Sequence, residues 1–396
     1  MTYYKIKNIS YNTTIHHTMG ITNLKKFIKG GFKTSPVKSS LIKQINISEF
    51  SGERIATDIS SYLYKYKIVF GDKWLDCFPT FITTFKQANV HNTLIFDGKP
   101  PIEKEAESKR RRDLSDNLED KIVNLSFDLD IYKDTNEISD LLKETMKKIT
   151  EKDEKMKKVT NLLHAGKKNS EAYIDVEAVE AFIKKKEGQN IRITQEDTDT
   201  LKELLDRFGV PWIQAPSEAE ALAAYLYSIG EVKAVLTEDT DILVYGVNIY
   251  LSGFNSVTGN CEAIYLNEVL EEIEYTFEQF VDFCIMCGSD YGNNIKGVGT
   301  ATAYKHIEKH KSIEKYIESS SVDPSVLNYV VSRDLFKTYG RIIDPSGKSS
   351  GEYKARYWET MIDIEKLFDY LYSKKCKYSP VNIKDAWSPP EIEFED

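Results

Sequence analysis

A chain of 396 residues, 41% hydrophobic and 29% charged, has enough apolar material for one large core or a core with a smaller appendage. It has no run of 18 apolar residues, so no transmembrane helix is expected, and Met1 to Thr18 lack the apolar stretch of a secretory signal. The net charge of −9 does not exclude nucleic acid, because a local basic surface is what binds phosphates and an acidic metal cluster lowers the total.

After the polar leader, Ile21, Leu24, Phe27 and Ile28 recur at helical spacing and predict a short amphipathic helix. Residues 54–59 read as a buried strand and residues 61–69 as a helix. Residues 93–96 read as a second strand, ending in Asp97-Gly98. From Lys99 to about Asn190, Lys and Glu dominate and aromatics are sparse, which predicts a charged helical insertion with loops. Within it, Lys143 to Lys168 carries nine Lys and four acidic residues and is locally basic.

Globular patterning resumes near Ile193. A helix is expected over 196–208, a strand over 210–213, and a helix to about Ser228 with Ser217 as N-cap and Glu220 at capping-box spacing. Residues 232–236 read as a strand running into Thr237-Glu238-Asp239. Further strands are expected near 242–245, 248–252 and 262–266, then a helix over 276–287 ending at Gly288. The alternation of strands and helices predicts an α/β core with a largely parallel sheet. Residues 296–310 hold a Gly-x-Gly hairpin and a helix. In the helical tail, Leu335-Phe336 and Leu367-Phe368 are the packing residues, before a short acidic end. The expected divisions are 1–18, 19–98, 99–192, 193–291 and 292–396.

The chemical signal is where the acids fall. Asp58 follows the first strand, Asp97 ends the second, and Asp239 and Asp241 lie just past the strand at 232–236. In open α/β sheets ligands bind outside the carboxyl ends of the strands, so these four should converge. Glu218 and Glu220 occupy the first turn of a helix, and Asp290 a loop after another. Each acid alone reads as a turn, cap or helix-dipole residue. Seven together in one cleft would repel unless cations neutralised them, and an all-oxygen set suits Mg²⁺ or Mn²⁺ better than Zn²⁺. Cys284 and Cys287 lie in an apolar helix with no second ligand pair at zinc spacing, so they are read as core.

Longer strings carry a resemblance. Met19-Gly20-Ile21-x-x-Leu24, Ala56-Thr57-Asp58 and Phe96-Asp97-Gly98-Lys99-Pro100-Pro101 resemble the N-terminal block of the flap endonuclease family, the XPG-type structure-specific 5′ nucleases. Ala215-Pro216-Ser217-Glu218-Ala219-Glu220-Ala221, Thr237-Glu238-Asp239-Thr240-Asp241 and Gly288-Ser289-Asp290-Tyr291 resemble its internal block. Gly297-Val298-Gly299 resembles the family's helix–two-turn–helix. The resemblance spans about 19–310, apart from the central insertion.

The resemblance implies a PIN-like or resolvase-like α/β core, a mostly parallel sheet flanked by helices, with a helical arch. It implies structure-specific endonuclease and 5′–3′ exonuclease action on 5′-flap or branched DNA in replication and repair, by two-metal phosphodiester hydrolysis. One Mg²⁺ would be held by Asp97, Glu218, Glu220 and Asp239, and a second by Asp239, Asp241 and Asp290, with Asp58 outside them. Mn²⁺ would substitute. Lys104 and Arg111 match, by spacing, the family's Lys and Arg that contact the scissile phosphate. An isolated charge run such as 109–112 would otherwise read as a solvated face, and Arg110 and Arg112 stay ambiguous. Tyr64 matches an aromatic that stacks on a substrate base, with Tyr62 as the competing candidate. Gly297, Gly299, Lys296 and Lys305 would hold duplex phosphate, with K⁺ nearby.

Some features depart from the family's pattern. The Met-Gly start falls at Met19, so residues 1–18 are expected to be dispensable. The segment between Asp97 and Glu218 is longer than in compact members, so the preferred substrate stays open. A 5′ exonuclease specificity, bubble cutting, junction cutting and non-catalytic junction binding are the alternatives. The helix after Gly299 begins Thr300-Ala301-Thr302-Ala303, where the family has basic residues. No sliding-clamp motif is recognisable in 379–396. A monomer at a nuclear or cytoplasmic replication site, neither secreted nor membrane-bound, is expected.

Overall fold

The computed structural model describes residues 20–32, 36–152, 174–292, 294–320, 323–337, 353–359 and 361–388. Met19, the leader before it and much of the Lys143–Lys168 run lie outside the described residues.

Seven strands form one mixed sheet: β1 (Lys43–Asn46), β2 (Arg54–Asp58), β3 (His91–Phe96), β4 (Trp212–Gln214), β5 (Val235–Leu236), β6 (Ile249–Ser252) and β7 (Asn260–Tyr265). Their order is β1-β7-β6-β5-β2-β3-β4. From β6 to β4 all neighbours run parallel, while β7 pairs antiparallel with both β6 and β1. In this parallel centre β2 and β3 are buried along nearly their whole length, polar Thr57, Asn92 and Thr93 included, because both faces are covered.

The Ala219–Ser228 helix packs on β2 and β3, and the Cys77–Gln87 helix on β3. Ile21, Leu24, Phe27 and Ile28 are buried in one apolar cluster with Ala56, Ile95 and Leu222, so the predicted N-terminal helix (Leu24–Ile28) is an integral core element. Phe336 and Leu367 are buried as expected.

The chain divides into two compact units. One comprises residues 1–62, 75–104 and 199–396, and holds the sheet. The other comprises 63–74 and 105–198. In this second unit the helices Glu105–Thr135, Asp140–Lys152 and Val176–Glu187 close a small core of their own around Leu125, Leu129, Leu142, Val179 and Ile183. Arg192 ties back to Asp116 at 2.5 Å and to Glu119 at 3.1 Å. No helix among the described residues is long and apolar enough to cross a membrane.

Three local expectations need correction. Ser217 is not the N-cap. Glu218 occupies that position without a side-chain cap, and the Ala219 N–H donates instead to Asp97 Oδ1 at 2.9 Å. The expected strand near 242–245 is a 3₁₀ turn over Thr240–Leu243, because Asp239 caps it by accepting from the Asp241 N–H at 2.8 Å. The strand expected over 232–236 is only Val235–Leu236. Edge strand β1 had no sequence signal, since Lys-Gln-Ile-Asn is weakly β-forming and one side of it is unpaired.

Candidate active site

Parallel strands β2, β3 and β5 place Asp58, Asp97 and Asp239 at one edge of the sheet, at or just past each strand's carboxyl end. Gly98 allows the chain after Asp97 to press onto 215–217. Its N–H donates to the Ser217 carbonyl at 2.6 Å, and a β-carbon there would collide with the Ala215 carbonyl oxygen. That contact brings Glu218 and Glu220, at the head of the Ala219–Ser228 helix, beside Asp97.

All seven predicted carboxylates lie in the same unit and act electrostatically on one another. Glu220 feels Asp58, Asp239, Asp97 and Glu218, while Asp241 feels Asp239, Asp290 and Glu218. Burial first, and then the Asp97 charge, pushes Asp58 up to about 7, although Ser61 and Thr237 donate to it. Burial is also the main cause for Asp239, raised to about 6, and for Glu220 and Asp241, both well above the ordinary carboxylate value. Asp58 is held through both oxygens, by the Ser61 N–H at 3.2 Å and the Thr237 hydroxyl at 3.0 Å.

Lys104 enters this cluster from the 3₁₀ turn Ile102–Lys104. Its ammonium pairs with Glu218 and lies 3.0 Å from Asp290. Burial alone would lower its pKa, but Glu218, Asp290 and Glu220 outweigh that and hold it well above the usual lysine value. Among the described residues, no group of three or more His, Cys, Asp or Glu side chains is closed to ligating geometry around one point. Two of the acids, Glu218 and Asp290, are engaged by Lys104. Asp241 Oδ1 nevertheless is buried with no hydrogen-bond partner among the described residues. An orphaned buried carboxylate oxygen in an all-oxygen donor set fits a divalent cation.

Three further residues line the cluster, of which Gly20 was flagged by the Met-Gly motif and the two tyrosines were not. Gly20 adopts φ +79°, and a β-carbon on it would collide with Asp239 Oδ1 and lie 2.8 Å from Asp241 Oδ1. The Tyr291 hydroxyl donates to Glu218, and the Tyr245 hydroxyl stands 3.2 Å from that of Tyr291. Tyr291 follows Asp290 directly, which was the only hint available.

Arg111 and Tyr64 belong to the second unit, close enough for the guanidinium to act on the phenol. Arg111 Nε pairs with Glu107 at 2.7 Å, and Arg110 shares that partner at 2.6 Å, which holds the Glu107 carboxyl down at about 2. Tyr62, the rival stacking residue, is fully buried against Phe81, whereas Tyr64 is half-buried. Gly297 has φ +83° with open space around it, and Gly299 precedes the Thr300–His310 helix without a side-chain cap. Lys296 and Lys305 are exposed. Cys284 and Cys287 are buried in the Phe277–Cys287 helix, and burial raises both thiols.

Residues 19–118 match the XPG N-terminal domain, and residues 209–290 match the XPG I-region. A probable RAD2-like endonuclease of invertebrate iridescent virus 3 is 33% identical over 339 residues, covering 81% of this chain and 85% of its own. Flap endonuclease 1 of Entamoeba dispar is 28% identical over 377 residues, covering 90% of this chain and 84% of its own. Among solved structures, the catalytic core of Rad2 in complex with DNA substrate aligns with a TM-score of 0.57 at 15% identity. It covers 93% of this chain and 98% of that one, which supports the fold.

Proposed function

This chain belongs to the XPG-type flap endonuclease family, and from that membership we propose that it is a divalent-metal-dependent, structure-specific DNA endonuclease that cuts 5′-flap or branched DNA in replication and repair. The observation that carries the reading is the set of seven mutually repelling carboxylates at the carboxyl ends of the sheet's parallel strands, with Asp241 Oδ1 left without a partner among the described residues.

Asp97, Glu218, Glu220 and Asp239 would hold one Mg²⁺, and Asp239, Asp241 and Asp290 a second, with Mn²⁺ able to substitute. When bound, such ions activate water and stabilise the leaving oxygen of a phosphodiester. Asp58, fixed by Ser61 and Thr237, orients the edge of the cluster. Filling the site requires Lys104 to release Glu218 or Asp290, which frees its ammonium to stabilise charge building on the scissile phosphate. Arg111 shares that task on the strength of the resemblance. Tyr64 stacks on a substrate base, worth about 1–3 kcal/mol. The N–H groups after Gly297, with Lys296 and Lys305, grip duplex phosphate, with K⁺ nearby. The charged helices of 99–192 form the arch that selects the DNA end. The protein works as a monomer at a nuclear or cytoplasmic site of DNA replication.

The test is digestion of a labelled panel with Mg²⁺: 5′ flap, nicked duplex, bubble, four-way junction and blunt duplex. The flap is expected to be cut best. Asp239→Ala and Asp241→Ala should each abolish cutting while sparing flap binding, because the grip comes from cations and backbone N–H groups. Cutting by either variant at a substantial fraction of the wild-type rate would sink the site assignment. Preferential cutting of bubble or junction would move the specificity within the family.

A further inference from the structure

Glu218 is held from two sides. Lys104 pairs with its Oε1, while the Tyr291 hydroxyl donates to its Oε2. Tyr291 has a single proton to give, and that proton goes to Glu218. The 3.2 Å contact between the two phenol oxygens therefore makes Tyr245 the donor to Tyr291. The result is a directed chain, Tyr245 to Tyr291 to Glu218, and both tyrosines are buried.

The chain is built into the packing. Phe336 lies edge-on to both rings, with centroids 5.3 Å from Tyr245 and 5.3 Å from Tyr291. Asn328 Nδ2 donates to the Tyr291 carbonyl at 3.0 Å. Phe336 and Asn328 belong to one segment, the Tyr329–Lys337 helix and the residue before it, and Arg333 of that helix clamps buried Asp282 through two contacts of 2.6 Å. Rotation of the Tyr291 ring is thus opposed from several directions at once.

A hydrogen bond to one oxygen of a ligating carboxylate fixes which lone pairs face the ion, and it persists when a lysine paired with the other oxygen leaves. We propose that Tyr291 is a positioning residue whose phenol, set by Tyr245 and Phe336, holds Glu218 by Oε2 so that Oε1 faces the cation once Lys104 withdraws. This rests on the metal-nuclease reading above and assigns Glu218 its orienting partner.

The test uses the full chain with Mn²⁺ as the probe. Electron paramagnetic resonance of free Mn²⁺ gives a half-saturation concentration without DNA, and single-turnover flap cleavage gives a second. Tyr291→Phe keeps the ring and its contact with Phe336 but removes the donor. The expected result is a melting temperature near wild type and Mn²⁺ half-saturation raised about tenfold in both assays, with cleavage recovering at high Mn²⁺. Half-saturation unchanged from wild type overturns the proposal, even if cleavage is slower, because the phenol then acts on something other than ion capture. A wild-type chain that takes up no Mn²⁺ and cuts no flap overturns the nuclease reading, and this proposal with it. Should Tyr291→Phe fail to fold, Tyr245→Phe decides. It leaves Tyr291 in place without its donor, so a smaller rise in half-saturation supports the proposal and no rise overturns it.

Discussion

Gly20 lies directly against the carboxylate of Asp239, so closely that a β-carbon would collide with Oδ1. The position also has φ +79°, where an L side chain costs about 1–2 kcal/mol. The neighbouring chain is pinned: the Thr22 N–H donates to the Gly288 carbonyl at 3.3 Å, and the Thr300 hydroxyl to the Thr22 carbonyl at 3.0 Å. Gly20 therefore cannot move away cheaply, and Asp239 must.

Gly20→Ala should accordingly lower the melting temperature and slow single-turnover flap cleavage by more than about tenfold, since small misplacements of reacting groups are costly. Calorimetry and quench-flow on the same preparation measure both. A variant with the wild-type rate would show that Asp239 tolerates displacement and does not serve as a ligand.

Stability without metal should fall as pH rises. Asp58 at about 7 and Asp239 at about 6 both lie above the ordinary 3.8, so their protonated forms favour the folded state. That contribution is full below about pH 4 and is lost as pH climbs through about 6 and 7. Glu107 and Glu314, both depressed to about 2, act in the opposite sense, but their contribution is complete above about pH 5. In EDTA the melting temperature should drop by several degrees from about pH 5 to about pH 8, and millimolar Mn²⁺ should remove the drop. Identical pH profiles with and without Mn²⁺ would contradict cation neutralisation of the cluster.

Lys104→Ala should slow single-turnover cleavage at least about tenfold with little change in DNA affinity, because under the proposed mechanism its charge stabilises the reacting phosphate. It should also destabilise the metal-free protein, since Glu218 and Asp290 lose their buried cation. Arg111→Ala should share the kinetic effect without the stability loss, because its partner Glu107 keeps Arg110. Equal weakening of binding to every duplex, with the chemical step unchanged, would make both ordinary phosphate contacts.

Arg333→Ala should cost about 3–5 kcal/mol, the range for stranding a buried charge, because among the described residues Asp282 would keep the Ile313 N–H at 3.1 Å. Chemical denaturation measures it. Asp282→Asn in the Arg333→Ala background should recover part of the loss, and no recovery would show that the helix packing, not the charge, was at stake.

The sequence alone determined the family and which acids converge. Asp58, Asp97, Asp239 and Asp241 could be placed together because parallel strands put their carboxyl ends on one edge, and the strings around Glu218, Glu220 and Asp290 identified the family. The buried strands β2 and β3 and the long helices were legible because clustered β-formers such as Ile55, Thr57, Thr93, Ile95 and Phe96, and helical periods, are local signals. Tertiary structure decided what local signals do not encode. Ser217 lost its cap role because Asp97, 122 positions before Ala219, supplies the acceptor for the Ala219 N–H. The turn at Thr240–Leu243 follows from Asp239 bonding the Asp241 N–H in place of a strand neighbour. Gly20 beside Asp239, Lys104 between Glu218 and Asp290, and Tyr291 on Glu218 are all contacts between segments distant in the chain. Their geometry is set by how the sheet, the helices and the 215–217 segment pack, so it emerges only when the whole unit closes.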